Sequence, residues 1–151
     1  MNGIAAIKSE LVKLDGDLIQ KLFAIEEGMK GLPQVELNHK HYFSKGLYGR
    51  EMTMPKGTMA IGRLHRFSQI NIISKGDVSI LTENGWKRFQ APCTFESPAG
   101  VKRAAYTHEE TVWTCLIATD ETDLDNIEDK MTVGSYQEYI ELKETLLIEE
   151  K

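Results

Sequence analysis

The spacing of apolar residues changes twice along the chain, and each change marks a different kind of element. From Ile4 to about Gly28, apolar residues recur every three or four positions, which predicts a helix with one apolar face. Gly16 lies within this segment and suggests a break into two helices, the second capped by Asp15 or Asp17. Such a stripe suits packing across a subunit boundary or against the helix's own domain.

From Val35 to about Thr119 the pattern becomes that of short strands separated by turn residues. The Asn84-Gly85 pair is a strong hairpin signal between two of these strands. The candidate strands are Lys40–Phe43, Leu47–Met54, Thr58–Arg66, Gln69–Ser74, Asp77–Thr82, Gly85–Phe89, Cys93–Ser97, Lys102–Tyr106 and Thr111–Ala118. Many short strands at close spacing predict a mainly β sandwich or barrel.

The last part of the chain returns to a helical pattern. An acidic stretch at 119–126 lacks the spacing of an EF-hand, so we expect a solvated linker with a short helix beginning at Thr122 or Asp123. Ser135 and Glu138 form a capping-box pair before a helix from about Tyr136 to Glu149. We therefore expect a helical segment at 1–34, a barrel at 35–119, and a linker and helix at 120–151.

Composition narrows the partners that the protein can have. The chain has 151 residues, which suits a single domain, and a net charge of −5, which argues against binding to duplex nucleic acid. It contains no apolar run of about 18 residues and no signal-peptide pattern at its start, so we expect a cytoplasmic protein without a membrane partner. Cys93 and Cys115 have no metal-binding spacing and are expected to be reduced, buried thiols.

The stretch from Gly57 to Gly76 carries the first candidate site. Alternation through it places Arg63, His65 and Phe67 on one face of a strand. An imidazole and a guanidinium side by side indicate a site rather than an ordinary core strand.

The spacing of residues in this stretch resembles the first motif of the cupin family. That motif is a glycine, a His-x-His pair, a Glu four residues on and a glycine seven residues later. Here the corresponding places are taken by Gly57, Arg63, His65, Gln69 and Gly76.

A second stretch resembles the second cupin motif, which is Pro-x-Gly, a His three residues later and an Asn after four more. Pro98, Gly100, Arg103 and Thr107 occupy those places. The resemblance covers roughly 37–118, and the chain is also similar to small cupin-like proteins encoded by bacteriophages. It implies a double-stranded β-helix, or jelly-roll barrel, flanked by N-terminal and C-terminal helices.

The residues that replace the family's metal ligands change what the site is expected to bind. Cupins that bind a metal use three His and one Glu, and of these only His65 is kept. Arg has no lone pair to offer a cation and stays charged, so we expect neither a metal nor another cofactor.

Two guanidinium groups and an imidazole in one cavity suit an anion, because Arg makes two-pronged contacts with carboxylate or phosphate. Alternatively, Arg63 and Arg103 pair with acidic residues of the chain such as Glu51, Glu96 or Glu109. The ligand would be a nucleotide, a sugar phosphate or a carboxylate. The predicted ligand-binding residues are Arg63, His65, Gln69, Arg103, Tyr106, His108 and Trp113.

Three functions remain open from the sequence. The first is a metal-free binding protein, expected to be a homodimer or higher homo-oligomer, which in a phage could sequester a signal of host defence in the host cytoplasm. The second is an enzyme with His65 as the candidate catalytic residue, either an acid–base isomerase or epimerase or a metal enzyme that adds His41 or His108. The third is an assembly protein whose barrel is only a scaffold.

Overall fold

The structure of the protein is a computed structural model, and it describes residues 18–82 and 84–149. Three helices are described: α1 (Leu18–Met29), α2 (Leu124–Met131) and α3 (Tyr136–Glu149). The strands are β1 (Asn38–Ser44), β2 (Leu47–Met54), β3 (Met59–Ile61), β4 (Leu64–His65), β5 (Gln69–Lys75), β6 (Asp77–Thr82), β7 (Gly85–Gln90), β8 (Cys93–Ser97), β9 (Ala104–Thr107), β10 (Thr111–Ala118) and β11 (Thr132–Val133). No helix within these residues is long and apolar enough to span a bilayer.

The strands form two main antiparallel sheets. The first is five-stranded with the order β1-β2-β10-β5-β8, and the second is four-stranded with the order β3-β9-β6-β7. Their inner faces share one hydrophobic core, in which Ile73 and Trp113 of the first sheet pack with Val78, Ile80 and Ala105 of the second. Apolar residues at alternate strand positions build this core, as the pattern predicted.

Strand register places a row of polar residues across the first sheet. Arg50 on β2 lies opposite His41 on β1 and opposite Cys115 on β10, and Cys115 lies opposite Asn71 on β5. Directly opposed residues of antiparallel strands point to the same face. The row therefore brings Arg50 onto the face that carries Trp113, which is the inside of the barrel.

The long predicted strand Thr58–Arg66 is wrong, because its residues form two short strands with different partners. Residues of β3 pair with β9, whereas β4 pairs with β11, so that His65 lies opposite Thr132. Between them, the Gly62 amide donates to the Arg103 carbonyl oxygen at 3.0 Å. The other strands appear within a few residues of their predicted bounds, and the hairpin at Asn84-Gly85 joins β6 to β7.

Helices cover two sides of the barrel. Leu22 of α1 is fully buried against Leu81 and Ala104, on the outer face of the second sheet. The part of the predicted N-terminal helix before Leu18, with its break at Gly16, lies outside the described residues. On the other side, Ile127 and Met131 of α2 pack with side chains of the first sheet.

The predicted starts of the two C-terminal helices are confirmed. The Asp123 carboxylate accepts from the Asp125 amide at 2.9 Å and caps α2. At α3, the Glu138 amide donates to the Ser135 hydroxyl at 3.2 Å, whereas the Glu138 carboxylate accepts from the Gly134 amide rather than from Ser135. The chain after the barrel is thus held against it by α2 and by the pairing of β11 with β4.

Candidate functional site

A cavity of about 210 Å³ lies between the two sheets, and we call it the barrel chamber. Its walls are largely apolar. Met52, Met54 and Trp113 come from the first sheet and Ala60 and Ala105 from the second. A few polar side chains interrupt these walls: His39, Arg50, Arg63, His65, Gln69, Arg103 and Glu128. An apolar cavity with a small set of convergent polar groups is the usual form of a small-molecule site.

A second cavity of about 270 Å³, the helix chamber, lies next to the first. It is lined by Ile127 and Met131 of α2 and by Tyr48 and Ile117 of the first sheet. His39, Arg50, His65 and Glu128 line both chambers. The two chambers therefore meet at these four side chains.

Arg50 lines both chambers and was not among the site residues predicted from the sequence. Its side chain hydrogen-bonds with Cys115, and among the described residues no carboxylate lies within 4.0 Å of the guanidinium to form an ion pair. The neighbouring Glu51 instead approaches Lys40, at 4.0 Å. Alternation within the strand contained the signal, since Tyr48, Met52 and Met54 predict an apolar inner face that includes position 50.

Arg63 does not point freely into the cavity. Its Nε donates to the Thr132 hydroxyl at 2.8 Å and lies 3.3 Å from a Glu128 carboxylate oxygen, while Asp129 is 3.9 Å from its Nη2. The side chain is 36% exposed. Arg63 is thus a rim residue that ties β4 to α2.

The sequence suggested Glu51, Glu96 or Glu109 as acidic partners of the two arginines. For Arg63 this suggestion is wrong. Its carboxylate neighbours belong to α2, which is distant in sequence. Glu51 approaches Lys40, and Glu109 pairs with Lys56 at 3.7 Å.

Arg103 is held by a buried polar network. Its Nε and Nη2 donate to the Ser97 hydroxyl oxygen at 3.3 and 3.2 Å, and its Nη1 donates to the Leu81 carbonyl oxygen at 3.3 Å. Asn71 donates to the same hydroxyl at 2.9 Å and accepts from the Trp113 indole at 2.9 Å. This network fixes both Arg103 and Trp113 in the chamber wall.

His65 is mostly buried, and the charged side chains that affect its pKa are cations. Its pKa is lowered to about 4, first by burial and then by the charges of Arg50, Arg103, Arg63 and Lys102. The imidazole is therefore neutral at physiological pH. Its low pKa shows that the cavity disfavours positive charge at this position, first because of burial and then because of the neighbouring cations.

Lys102 adds to the positive charge around His65 from outside the chamber. Its side chain is 0% exposed, and its ammonium donates to Glu26 of α1 at 2.9 Å and to the Gly62 carbonyl oxygen at 3.0 Å. It also lies 4.2 Å from the centre of the Phe23 ring. Burial lowers the pKa of Lys102, which Glu26 partly offsets.

Gln69 carries a buried polar atom that has no hydrogen-bond partner within the described part of the chain. The residue is only 9% exposed, and its Oε1 has no hydrogen-bond partner among the described residues. A buried carbonyl oxygen without a donor costs roughly 1–3 kcal/mol.

The other predicted site residues are divided between the chamber and the outer surface. Trp113 lines the chamber, as do Arg63, His65, Gln69 and Arg103. Tyr106 and His108 are not among the lining residues, and their side chains meet each other with ring centres 5.2 Å apart. The His108 ring also bonds to the Ser79 hydroxyl at 2.7 Å, so their placement in the predicted ligand set is not supported.

Solved structures of low sequence identity share this arrangement of strands. KdgF from Halomonas sp. aligns with a TM-score of 0.50 and 18% identity over 60% of this chain and 86% of its own. A cupin superfamily protein from Desulfitobacterium hafniense aligns with a TM-score of 0.50 and 10% identity over 58% of this chain and 82% of its own. The chain has the cupin fold. A protein described as ethanolamine utilization protein Q, from Salmonella typhimurium, aligns with a TM-score of 0.51 and 10% identity over 61% of this chain and 76% of its own.

These comparisons confirm the predicted fold class, including the flanking helices, and they do not assign an activity. Neither a protein-family model nor a curated protein sequence matches the chain.

The cupin metal positions of this chain do not fit a divalent cation. Arg63 and Arg103 have no lone pair to donate, and Gln offers only a weak amide oxygen. The remaining ligand, His65, sits where the surrounding charges repel a cation. Within 18–82 and 84–149, no three His, Cys, Asp or Glu side chains are grouped in a way that could hold a metal ion.

Proposed function

We propose that the protein binds a small anionic metabolite or nucleotide at the junction of the two chambers, without a bound metal. The observation that carries this proposal is Arg50, a cation on the inner wall of the barrel with no carboxylate partner among the described residues. Arg50 is partly buried and hydrogen-bonds with the Cys115 side chain, and a bound anion would supply the opposite charge that such a guanidinium normally pairs with.

The neighbours of Arg50 support the same assignment. His65 lines both chambers beside Arg50, and its pKa is lowered first by burial and then by a positive environment made by Arg50, Arg103, Arg63 and Lys102. A bound anion would offset that environment and raise the pKa of His65. Binding would then be coupled to proton uptake, so that affinity rises as the pH falls toward the pKa of His65 in the complex.

The pKa of His65 also bears on the enzymatic alternative. A general base works best with a pKa near the operating pH, whereas an imidazole with a pKa of about 4 accepts protons weakly at neutral pH. This lowered pKa favours binding over acid–base catalysis by His65.

The resemblance to bacteriophage-encoded proteins suggests one biological use, the sequestration of a nucleotide signal of host defence in the host cytoplasm. A homodimer or higher homo-oligomer is part of this proposal. The mass of the purified protein in solution tests that part directly.

A thermal-shift experiment with defined anions tests the binding proposal. The probes are phosphate, citrate, gluconate, glucose 6-phosphate and AMP, applied to the wild type and to Arg50→Met. Lys56→Gln is the matched control, because it removes an exposed cation that pairs with Glu109 outside the chambers. We expect at least one probe to raise the melting temperature of the wild type and the control but not of Arg50→Met.

Two results would contradict the proposal. The first is that no probe stabilises the wild type, or that Arg50→Met is stabilised as much as the control. The second is stoichiometric iron, manganese, zinc or nickel in the purified protein by elemental analysis.

A further inference from the structure

The outer face of the first sheet presents exposed apolar side chains. Strand register places Tyr42, Leu116 and Ile70 in one row across β1, β10 and β5. This row alternates along the strands with the row that contains Arg50, so its side chains point away from the core. Gly49 is the residue of β2 in this row, and a Cβ there would lie 3.1 Å from the Leu116 side chain and 3.7 Å from that of Tyr42. Because Tyr42 is 53% exposed and Ile70 is 45% exposed, the folded chain leaves this row open to solvent.

The size of this outer face suits a protein partner. Four of its five strands are seven or eight residues long. At about 4.8 Å between strands and about 3.3 Å for each residue, the face measures roughly 24 Å by 24 Å, or about 600 Å² in plan. Its accessible surface is larger, because side chains project from it, and approaches the roughly 800 Å² that each partner of a standard protein interface buries. Exposed apolar faces of this extent are typical of surfaces that bind another protein.

The charges on this face make it complementary to a second copy of itself. Lys40 is on β1 and Glu96 is on β8, the two edge strands, and β10 is the central strand of the sheet. A two-fold axis along β10 would place β1 over β8 of the second copy, so that Lys40 meets the opposite charge at both edges. An axis across the strands, through the apolar row, would instead place Glu96 over its own copy. Glu51, the other charged residue beside this row, lies 4.0 Å from Lys40 in the same chain.

We infer that this outer face is the contact surface between two copies of the chain, packed sheet to sheet about a two-fold axis along β10. The inference rests on the homo-oligomer in the proposed function and names its surface. Tyr42, Leu116 and Ile70 form the apolar centre of the interface, and Lys40 and Glu96 form the rim contacts that fix its orientation. The two chambers lie on the other side of the sheet, so the binding of an anion does not require the dimer.

Analytical ultracentrifugation of the purified full chain tests the surface. We expect the wild type to sediment as a dimer and Ile70→Lys to raise the dissociation constant of the dimer at least tenfold, because the substitution places a charge in the apolar centre. Leu32→Lys is the matched control, since Leu32 is 60% exposed and lies outside the sheet. Both substitutions replace exposed side chains, and circular dichroism of the two variants checks that each is folded.

Charge reversal tests the orientation of the two copies. In a dimer of Lys40→Glu, or in a dimer of Glu96→Lys, both rim contacts join like charges, so we expect each variant alone to dimerise at least tenfold more weakly than the wild type. A mixture of the two variants can form a dimer with one copy of each, in which both rim contacts again join opposite charges. We expect the dissociation constant of that mixed dimer to lie within threefold of the wild-type value.

The outcomes separate this inference from the proposed anion site. A wild type that sediments as a monomer at 100 μM overturns the inference, whereas the thermal-shift responses to the anions still decide whether the protein binds one. If Ile70→Lys dimerises as tightly as Leu32→Lys, the contact lies on another surface and the inference is wrong. If the two charge variants dimerise like the wild type, or if their mixture dimerises no better than either alone, the two-fold arrangement along β10 is wrong.

Discussion

The titration of His65 is the property of the site that the structure predicts in most detail. Its pKa is lowered from the ordinary 6.5 to about 4, first by burial and then by the charge of Arg50. The difference corresponds to about 3 kcal/mol, at 1.36 kcal/mol for each pKa unit. Protonating the folded protein at His65 therefore costs about that much more than protonating the unfolded chain.

The sign of the effect on stability follows from this difference. Between pH 6.5 and about 4 the unfolded chain binds a proton at this position and the folded protein does not. His65 therefore leaves stability intact above pH 6.5 and lowers the free energy of unfolding as the pH falls toward 4. The loss from this residue reaches about 3 kcal/mol at the lower end.

The assay is NMR of the histidine ring protons against pH, with the His65 signal assigned by comparison with His65→Gln. The substitution Arg50→Met should raise the pKa of His65, because it removes the neighbouring charge that contributes most to the shift after burial. Lys56→Gln should leave it unchanged, since Lys56 is exposed and pairs with Glu109. A wild-type His65 that titrates near 6.5, or a pKa that is the same in Arg50→Met, would refute the electrostatic description of the chamber.

Two further predictions concern stability, and chemical denaturation measures both. Glu26→Gln leaves the buried ammonium of Lys102 without its carboxylate and should lower the free energy of unfolding by about 3–5 kcal/mol, whereas the double variant Glu26→Gln/Lys102→Met should recover much of that loss. Gly76→Ala should cost about 2–4 kcal/mol, because Gly76 has a φ of +106° and its Cβ would lie 2.5 Å from the Glu110 carbonyl oxygen. Gly57→Ala, with a φ of +78° and open space around its Cβ, should cost only about 1 kcal/mol.

Each of these stability predictions has a clear contrary result. If Glu26→Gln is as stable as the wild type, the buried pair does not hold α1 to the barrel. If the variants of Gly76 and Gly57 lose equal stability, the close approach of the β5–β6 turn to Thr111 is not what restricts position 76.

Much of the fold could be predicted from the sequence, because strand alternation and turn residues are local signals. The bounds of β2, β6, β8 and β10 agree with the predicted segments, and the pattern of turns indicated the two-sheet architecture. The run 58–66 was mispredicted as one strand, since the change of partner from β9 to β11 depends on a segment far along the chain.

The candidate site could be predicted only in part, for the same reason. Family spacing identified His65, Gln69 and Arg103, and the structure brings all three to one chamber. Arg63 was predicted within a strand but lies between β3 and β4, and Glu128 and Thr132 draw its guanidinium toward α2. The contacts of Arg63 with Glu128 and Thr132 cannot be predicted from a local sequence pattern, because these residues are far along the chain. Arg50 could have been predicted, since it is a charged residue on an apolar strand face.

The most direct test of the account is a crystal structure of the protein soaked in selenate, whose anomalous scattering locates the anion without ambiguity. We expect a selenium peak in the cavity within hydrogen-bond distance of the Arg50 guanidinium and close to the His65 ring. A cavity without selenate while the anion occupies only surface lysines, or a metal ion coordinated by His65, would contradict the claim that the interior of this barrel is built to hold negative charge.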